Sequence, residues 1–243
     1  MPRTLLTLAF DTSTATAVIA VARGTRLLAA REEPAPRAYD EGLLPRIAGA
    51  LAEAGVAPRD LELVACGRGP GSFTGLRIAL ATAKGYAFAL GRPLVVVSST
   101  AALATATAGT TVVVLDAKRG EFFAQAFAAR GRGRASGPTR ESGRAIVPAS
   151  GLADWLAGRR LPRPVVLVGE GLPGALGAGF VPPEECEVRA ARHPSAAALV
   201  RLVRREASAR RWANLDRVEP EYLRPPPYNP PRGGPKLARG SRG

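Results

Sequence analysis

The chain has 243 residues, of which 34 are Lys or Arg and 20 are Asp or Glu, so its formal net charge is +14 at pH 7. This length is enough for one large or two modest domains, each with a substantial core. Two cysteines give neither a disulfide framework nor metal-ligand spacing. No apolar run is long enough for a secretory leader or a membrane span, so we expect a cytoplasmic protein without a membrane partner.

The positive charge has two possible origins. Ala, Gly, Pro and Arg are abundant together along the whole chain, as in products of GC-rich coding sequences, and charge spread in this way need not form a patch. Alternatively, the arginines provide affinity for RNA, which requires clustering. The clear clusters come late, on a helix predicted within residues 194–212 and in the Pro/Gly/Arg-rich residues 225–243, which we predict to be disordered.

Two segments of the chain share one plan: a strand, an aspartate, a tight turn and a second strand. The first is an apolar run that ends in Asp11-Thr12-Ser13-Thr14, and the second is a similar run that ends in Asp116-Ala117-Lys118-Arg119-Gly120. Because the two segments lie about a hundred residues apart, they predict an internal duplication. We expect lobes at residues 1–108 and 109–193 that face a cleft, with the helix at 194–212 packed back on the first lobe.

A glycine-rich loop separates an apolar strand from a helix that runs to Leu90. Between Gly67 and Gly75 the chain has four glycines and a proline. Such a loop can present backbone N–H groups to an anion at the start of a helix. The alternative is that it only allows the strand and the helix to pack closely. The loop matches neither the P-loop nor the dinucleotide-binding fingerprint.

The most specific motif of the chain begins in this loop. It reads Gly67-Arg68-Gly69-Pro70-Gly71-Ser72-Phe73-Thr74-Gly75-Leu76-Arg77-Ile78 and continues with Ala81-Thr82-Ala83-Lys84-Gly85. This run resembles the signature of the bacterial TsaB (YeaZ) family. The resemblance covers residues 5–127 strongly and 194–224 loosely.

The resemblance implies an α/β fold of the actin, sugar-kinase and Hsp70 type (RNase H-like), with duplicated lobes that are each a mixed sheet with flanking helices. It also implies a subunit of the machinery that makes N6-threonylcarbamoyladenosine (t6A) in tRNA. In that family the metal and the nucleotide belong to a paralogue, TsaD, and a separate ATPase, TsaE, joins the complex. The chain is therefore expected to have no catalytic residue, no metal site and no cofactor of its own, and to contact tRNA indirectly or through its basic C-terminal segments.

Active members of this fold group hold phosphates in their hairpin turns, and the first turn here has the small and hydroxylated residues that suit this role. The second turn places Lys118 and Arg119 where an active relative would have glycines. The candidate anion or nucleotide loop combines the first turn with the glycine-rich loop and consists of Asp11, Thr12, Ser13, Gly69, Gly71, Ser72, Thr74 and Gly75.

Both predicted helices of the first lobe carry apolar stripes, and the second has little polar surface. These stripes either form only the core of the lobe or also contact another subunit. The resemblance favours contact with TsaD and with a second copy of the chain. The candidate interface residues are Leu43, Leu44, Ile47, Leu51, Leu76, Ala79, Leu80, Ala83, Tyr86 and Ala87.

Two functions from different classes compete. The first is the non-catalytic TsaD-binding subunit that the resemblance implies. The alternative is an ATP-dependent phosphotransferase of the sugar-kinase group, in which Asp11 and Asp116 would handle magnesium. The chain has one histidine, His193, so the clustered ligands that a metallohydrolase needs are lacking in the sequence.

Overall fold

The computed structural model describes residues 4–34, 39–104, 110–129, 138–222 and 224. The first lobe is built on a five-stranded mixed sheet with the order β3-β2-β1-β4-β5. Strands β1 to β3 form an antiparallel meander, and β4 and β5 run parallel to β1. These strands are β1 (Leu6–Asp11), β2 (Thr16–Arg23), β3 (Arg26–Pro34), β4 (Leu63–Gly67) and β5 (Leu94–Val97).

The second lobe repeats this topology. Its strands are β6 (Thr110–Asp116), β7 (Glu121–Ala129), β8 (Pro138–Pro148), β9 (Val165–Val168) and β10 (Cys186–Val188). The order is β10-β9-β6-β7-β8, with an antiparallel meander from β6 to β8 and with β9 and β10 parallel to β6. Each strand of one sheet has a counterpart in the other, so the predicted fold of two duplicated α/β lobes is confirmed.

Six helices flank the sheets in the described ranges. They are α1 (Tyr39–Glu53), α2 (Phe73–Leu90), α3 (Ser99–Ala104), α4 (Leu152–Ala157), α5 (Leu172–Gly177) and α6 (Ala196–Ser208), with short 3-10 turns at Pro58–Asp60 and Ala149–Gly151. None of the helices in these ranges combines the length and apolarity needed to cross a bilayer. The predicted disordered tail at 225–243 lies outside the described residues.

Local sequence explains where α2 begins and ends. The hydroxyl of Ser72 accepts a hydrogen bond from the Gly75 N–H and so caps the first turn. Gly91 then adopts φ 61° at the other end, a left-handed conformation that glycine reaches without steric cost. The helix therefore starts at Phe73, within the glycine-rich run.

The sheet of the first lobe is covered on both faces. Neighbouring residues of β1 point to opposite sides, so Phe10 packs with α1 and α2 whereas Ala9 packs with α6. On α6 the apolar stripe that contains Leu199 and Val203 is fully buried against this sheet. The C-terminal helix thus lies on the first lobe, although it follows the second lobe in the chain.

This packing corrects most of the predicted partner interface. Of the ten candidate residues, Leu44 is exposed, Tyr86 is half-buried, and the other eight are buried within the lobe. These eight are Leu43, Ile47, Leu51, Leu76, Ala79, Leu80, Ala83 and Ala87. The reason is that a helix covering a sheet needs the same apolar stripe as a helix contacting a partner. The side chains that α1 and α2 do expose include Leu44, 54% exposed, and Phe88, 81% exposed.

Two substitutions on α1 separate these environments. We expect Ile47→Ala to lower the free energy of unfolding by about 3 kcal/mol, because it leaves a cavity at a fully buried position. Leu44→Ala is the matched control and should change it by less than about 0.5 kcal/mol, since that side chain is mostly exposed. Urea unfolding of both variants measures the difference. Equal losses would contradict this placement of α1.

Candidate functional site

The Asp11 carboxyl lies at the centre of the first hairpin turn and is fully buried. Its Oδ1 accepts hydrogen bonds from the Ser13 N–H (2.8 Å) and the Ser13 hydroxyl (2.6 Å). Its Oδ2 accepts one from the Ser99 hydroxyl (2.6 Å) at the start of α3. Both carboxyl oxygens are therefore used within the lobe, so this side chain is poorly placed to hold a magnesium ion in the cleft.

The glycine-rich loop packs directly on this turn. The Ser72 N–H donates to the Ser13 carbonyl (2.7 Å), and the Thr12 hydroxyl donates to the Gly75 carbonyl (2.7 Å). A Cβ atom at Gly75 would lie 2.0 Å from the Thr12 carbonyl oxygen. Thr12 and Ser13 are fully buried by these contacts. The close-packing interpretation of the loop therefore accounts for its glycines.

A second contact at Gly67 strengthens this interpretation. A Cβ atom there would lie 1.8 Å from Asp11 Oδ2, so only glycine leaves room for the buried carboxyl. Beside it, burial and secondarily the charge of Asp11 raise the pKa of the Cys66 thiol. This cysteine is an inert core residue rather than a nucleophile.

The outer side of the loop is covered by the segment that follows α6. The Glu221 N–H donates to the Arg68 carbonyl (2.6 Å), and a Cβ atom at Gly69, which has φ 108°, would lie 2.5 Å from the Glu221 carbonyl oxygen. The rings of Phe73 and Tyr222 pack at 4.8 Å between centroids. Thr74, in the first turn of α2, remains exposed.

The second hairpin turn is shaped differently. Lys118 and Arg119 both adopt left-handed conformations, with φ 67° and 61°, which bulky side chains rarely do. Lys118 binds Asp116 twice, through its ammonium group to Oδ2 and its backbone N–H to Oδ1, both at 2.7 Å. Partial burial would raise the pKa of Asp116, but these hydrogen bonds and the ammonium charge outweigh it and lower the pKa. The turn neutralises its own aspartate.

Glu170 connects the two lobes across the cleft. It lies between Gly169 and Gly171, and Gly171 approaches the backbone of Leu115 so closely that a Cβ atom would be 2.5 Å from the Leu115 carbonyl carbon. From this turn Glu170 Oε2 accepts a hydrogen bond from the Ala15 N–H of the first lobe (3.1 Å). Burial raises the pKa of Glu170, against the opposing effect of that hydrogen bond. The backbone N–H group of Ala15, which directly follows the first turn, is thus bound by a carboxyl group of the second lobe.

Sequence reasoning did not identify Glu170, Ser99 or Glu221 as site residues. Two flanking glycines were the signal at Glu170, and two glycines alone are equally typical of an ordinary turn. Among the described residues no group of three His, Cys, Asp or Glu side chains comes together to hold a metal ion. The Nδ1 atom of His193 lies 3.1 Å from the Pro194 carbonyl oxygen instead.

Comparison with known proteins gives consistent matches. Residues 32–139 match the profile of the family described as TsaD, tRNA N6-adenosine threonylcarbamoyltransferase. The chain also resembles the crystal structure of an uncharacterized Pseudomonas aeruginosa protein with similarity to peptidase YeaZ. The identity is 31%, the TM-score is 0.76, and the match covers 90% of this chain and 100% of that one. The chain belongs to the TsaB (YeaZ) family.

Curated relatives of the TsaB family match a shorter region. The chain is 36% identical over 125 residues to the tRNA threonylcarbamoyladenosine biosynthesis protein TsaB of Haemophilus influenzae, covering 49% of this chain and 52% of that protein. It is 41% identical over 118 residues to an uncharacterized Mycobacterium tuberculosis protein, covering 48% and 56% respectively. The chain thus spans about half the length of the curated relatives it matches.

Alanine substitutions at two glycines of α2 test whether the glycine-rich loop is needed for close packing on the first hairpin turn. We expect Gly75→Ala to lower the free energy of unfolding by about 3 kcal/mol, because the new methyl group clashes with the Thr12 backbone. Gly85→Ala is the matched control. Nothing lies within 4 Å of a Cβ atom there, so alanine should stabilise the helix by about 0.5 to 1 kcal/mol. Urea unfolding would contradict the packing interpretation if both variants gained stability.

The carboxyl of Glu170 gives a pH-dependent prediction. Since its pKa is raised in the folded state, its contribution to stability is fully present below its ordinary pKa of 4.5 and is lost as the pH rises through the folded value. Glu170→Gln keeps an acceptor for the Ala15 N–H but never ionises. We therefore expect the variant to melt at a higher temperature than the wild type at pH 8 and at the same temperature at pH 4.

Glu187→Gln provides the control for this experiment. Hydrogen bonds from Arg189 lower the pKa of Glu187, whereas the pKa of Glu170 is raised. This variant should therefore gain nothing at pH 8. Thermal melts of all three proteins at pH 4, 6 and 8 measure the effect. If Glu170→Gln were less stable than the wild type at pH 8, the ionised carboxylate would be holding the lobes together.

Proposed function

We propose that this chain is a non-catalytic subunit of the tRNA N6-threonylcarbamoyladenosine (t6A37) modification machinery that binds and supports TsaD. Membership of the TsaB (YeaZ) family and the names of its relatives support this proposal. The proposal that the subunit is non-catalytic rests on two contacts in the cleft between the lobes. Glu170 occupies the Ala15 N–H, and Lys118 neutralises Asp116. In each hairpin, a group in or beside the turn that an active relative would use for phosphate or magnesium is bound by a side chain of this chain instead.

In this proposal the fold acts as a rigid support rather than as a catalyst. The transfer of the threonylcarbamoyl group to adenosine takes place in TsaD, and TsaE joins the assembly as a separate ATPase. The contribution of this chain is a surface of fixed shape that holds TsaD in its working conformation. Because the inward apolar residues of α1 and α2 are buried against the sheet, we expect the outer surface of these helices to keep its shape without a partner.

The exposed apolar side chains of α1 and α2 are the proposed contact points. Leu44 and Phe88 expose 54% and 81% of their surface, and large apolar side chains of this kind are typical anchors of protein interfaces. Tyr86, which is half-buried, lies one turn from the end of α2. The same side chains would form the contact in a homodimer when TsaD is absent.

The alternative function, an ATP-dependent phosphotransferase of the sugar-kinase group, requires the cleft to open. Asp11 would have to leave three hydrogen bonds, and Glu170 would have to withdraw from Ala15. The isolated chain should therefore show no magnesium-dependent ATP hydrolysis. Hydrolysis that disappears in an Asp11→Ala variant would support the alternative.

Charge substitution tests the proposed contact with TsaD. We expect Leu44→Glu and Phe88→Glu each to reduce co-purification with the TsaD of the same cell by at least tenfold, because each places a charge in an apolar interface. Leu176→Glu, at a 40% exposed leucine of the second lobe, is the matched control and should co-purify normally. The t6A content of tRNA should fall with the first two variants only. Normal co-purification of both would exclude α1 and α2 as the interface.

A further inference from the structure

Trp212 is an exposed aromatic side chain on a firmly anchored segment. It follows α6, and 43% of its surface is accessible. The next residue, Ala213, donates its N–H to the Leu94 carbonyl of β5 (2.8 Å) and packs against the core of the first lobe. The position of the tryptophan is therefore fixed by the sheet, while its ring faces outward.

Two grooves meet at Trp212. The first has a volume of about 380 Å³ and an apolar floor formed by Leu5, Leu63, Val200 and Val203. Its rim carries two guanidinium groups, from Arg204 and Arg210, and neither forms an ion pair with a described residue. A groove with an apolar floor and a cationic rim fits a planar ring that carries an anionic group.

The second groove continues on the other side of Trp212. Its volume is about 580 Å³, and it is lined in part by Arg68, Arg205 and Arg211. Partial burial would raise the pKa of Glu206 here, but hydrogen bonds from Arg211 (2.8 Å) and Arg205 (3.0 Å) outweigh it and lower the pKa. The lining of this groove contains three arginines and one glutamate, so its net charge is positive.

The balance of charge around the tryptophan is strongly positive. Between positions 201 and 217 the chain has six arginines and two acidic residues. In the second lobe, Arg163 and Arg189 each form an ion pair with a glutamate, whereas the exposed Arg160 and Arg192 form none with a described residue. The stretch that contains Trp212 therefore has four more arginines than acidic residues, and two of these arginines line the first groove with the ring.

We propose that the surface formed by Trp212, Arg204, Arg210 and the two grooves binds single-stranded RNA. One base stacks on the indole ring, and the guanidinium groups of Arg204 and Arg210 bind the flanking phosphates. An aromatic side chain inside a positively charged groove is the arrangement by which proteins bind single strands without sequence preference. The choice of RNA over another polyanion rests on the proposed function in tRNA modification.

Fluorescence anisotropy with a labelled single-stranded RNA oligonucleotide tests the stacking contact. We expect Trp212→Ala to weaken binding about tenfold and Trp212→Phe to weaken it much less, because phenylalanine retains an aromatic face. Thermal melts of both variants confirm that the lobe still folds. If Trp212→Ala binds as tightly as the wild type, the stacking contact is wrong.

The salt dependence tests the phosphate contacts. Loss of two contacts in an Arg204→Ala/Arg210→Ala variant should reduce the slope of log Kd against log[KCl] by about 1.4. The matched control is Arg160→Ala/Arg192→Ala, which removes two exposed arginines that form no ion pair with a described residue. The control should keep the wild-type slope. Equal slopes for both double variants would mean that RNA binds through the overall positive charge rather than at Arg204 and Arg210, and would overturn the proposed phosphate contacts.

Two further measurements separate this inference from the proposed function. Heparin or vesicles of phosphatidylglycerol that bind as tightly as RNA, with no loss in Trp212→Ala, would indicate a general polyanion or membrane surface and overturn the inference. The Trp212 and Arg204/Arg210 variants should still co-purify with TsaD. If the wild type co-purifies with TsaD but does not bind RNA, only the RNA surface is wrong. If it binds RNA but not TsaD, only the proposed function is wrong.

Discussion

The buried carboxyl of Asp11 organises the first lobe. Burial of such a group is costly unless hydrogen bonds satisfy it, and here three donors from the first turn and from α3 do so. The carboxyl fits only because residue 67 has no side chain, which joins the end of β4 to the end of β1. The glycine-rich loop then passes over the turn, and Ser72 both bonds to it and caps α2. One polar group therefore fixes a strand, a loop and two helices relative to one another.

This arrangement has a consequence for the cleft. In a phosphate-binding turn the backbone N–H groups and the aspartate must face the ligand, but here Thr12 and Ser13 face the glycine loop and are fully buried. The second turn bonds to itself through Lys118 and Asp116, and Glu170 reaches across to Ala15. The duplicated scaffold is retained while its chemical groups are used for internal packing. The apolar side chains that α1 and α2 expose, and Trp212 with its neighbouring arginines, lie on the outer surfaces, where we propose the contacts with TsaD and RNA.

Much of the fold could be predicted from the sequence because its signals are local. The two Asp-ended hairpins, the Ser72 cap and the Gly91 stop each lie within a few residues of the structure they specify. Eight of the ten predicted interface residues are buried instead, because apolar stripes on α1 and α2 look the same whether they cover a sheet or a partner. The first half of strand β8 lacks the alternating apolar residues that predict a strand, since an edge strand needs little apolar character. The glycines on both sides of Glu170 indicate a turn, but they do not predict its contact with Ala15, which lies 155 residues away in the sequence.

The net charge of +14 does not show by itself where positive charge is exposed. That depends on which arginines have an acidic side chain beside them. Coding bias places arginines without regard to their neighbours, so it explains how many there are but not where they remain unpaired. In the second lobe, Arg163 and Arg189 sit beside glutamates that neutralise them, whereas the exposed Arg160 and Arg192 have no ion-pair partner among the described residues. Around Trp212, two guanidinium groups line an apolar groove without a carboxylate partner among the described residues. Exposure of the apolar indole ring to water is unfavourable, and coding bias does not explain it. In the proposed complex a stacked base covers the ring, and the flanking phosphates neutralise the guanidinium groups.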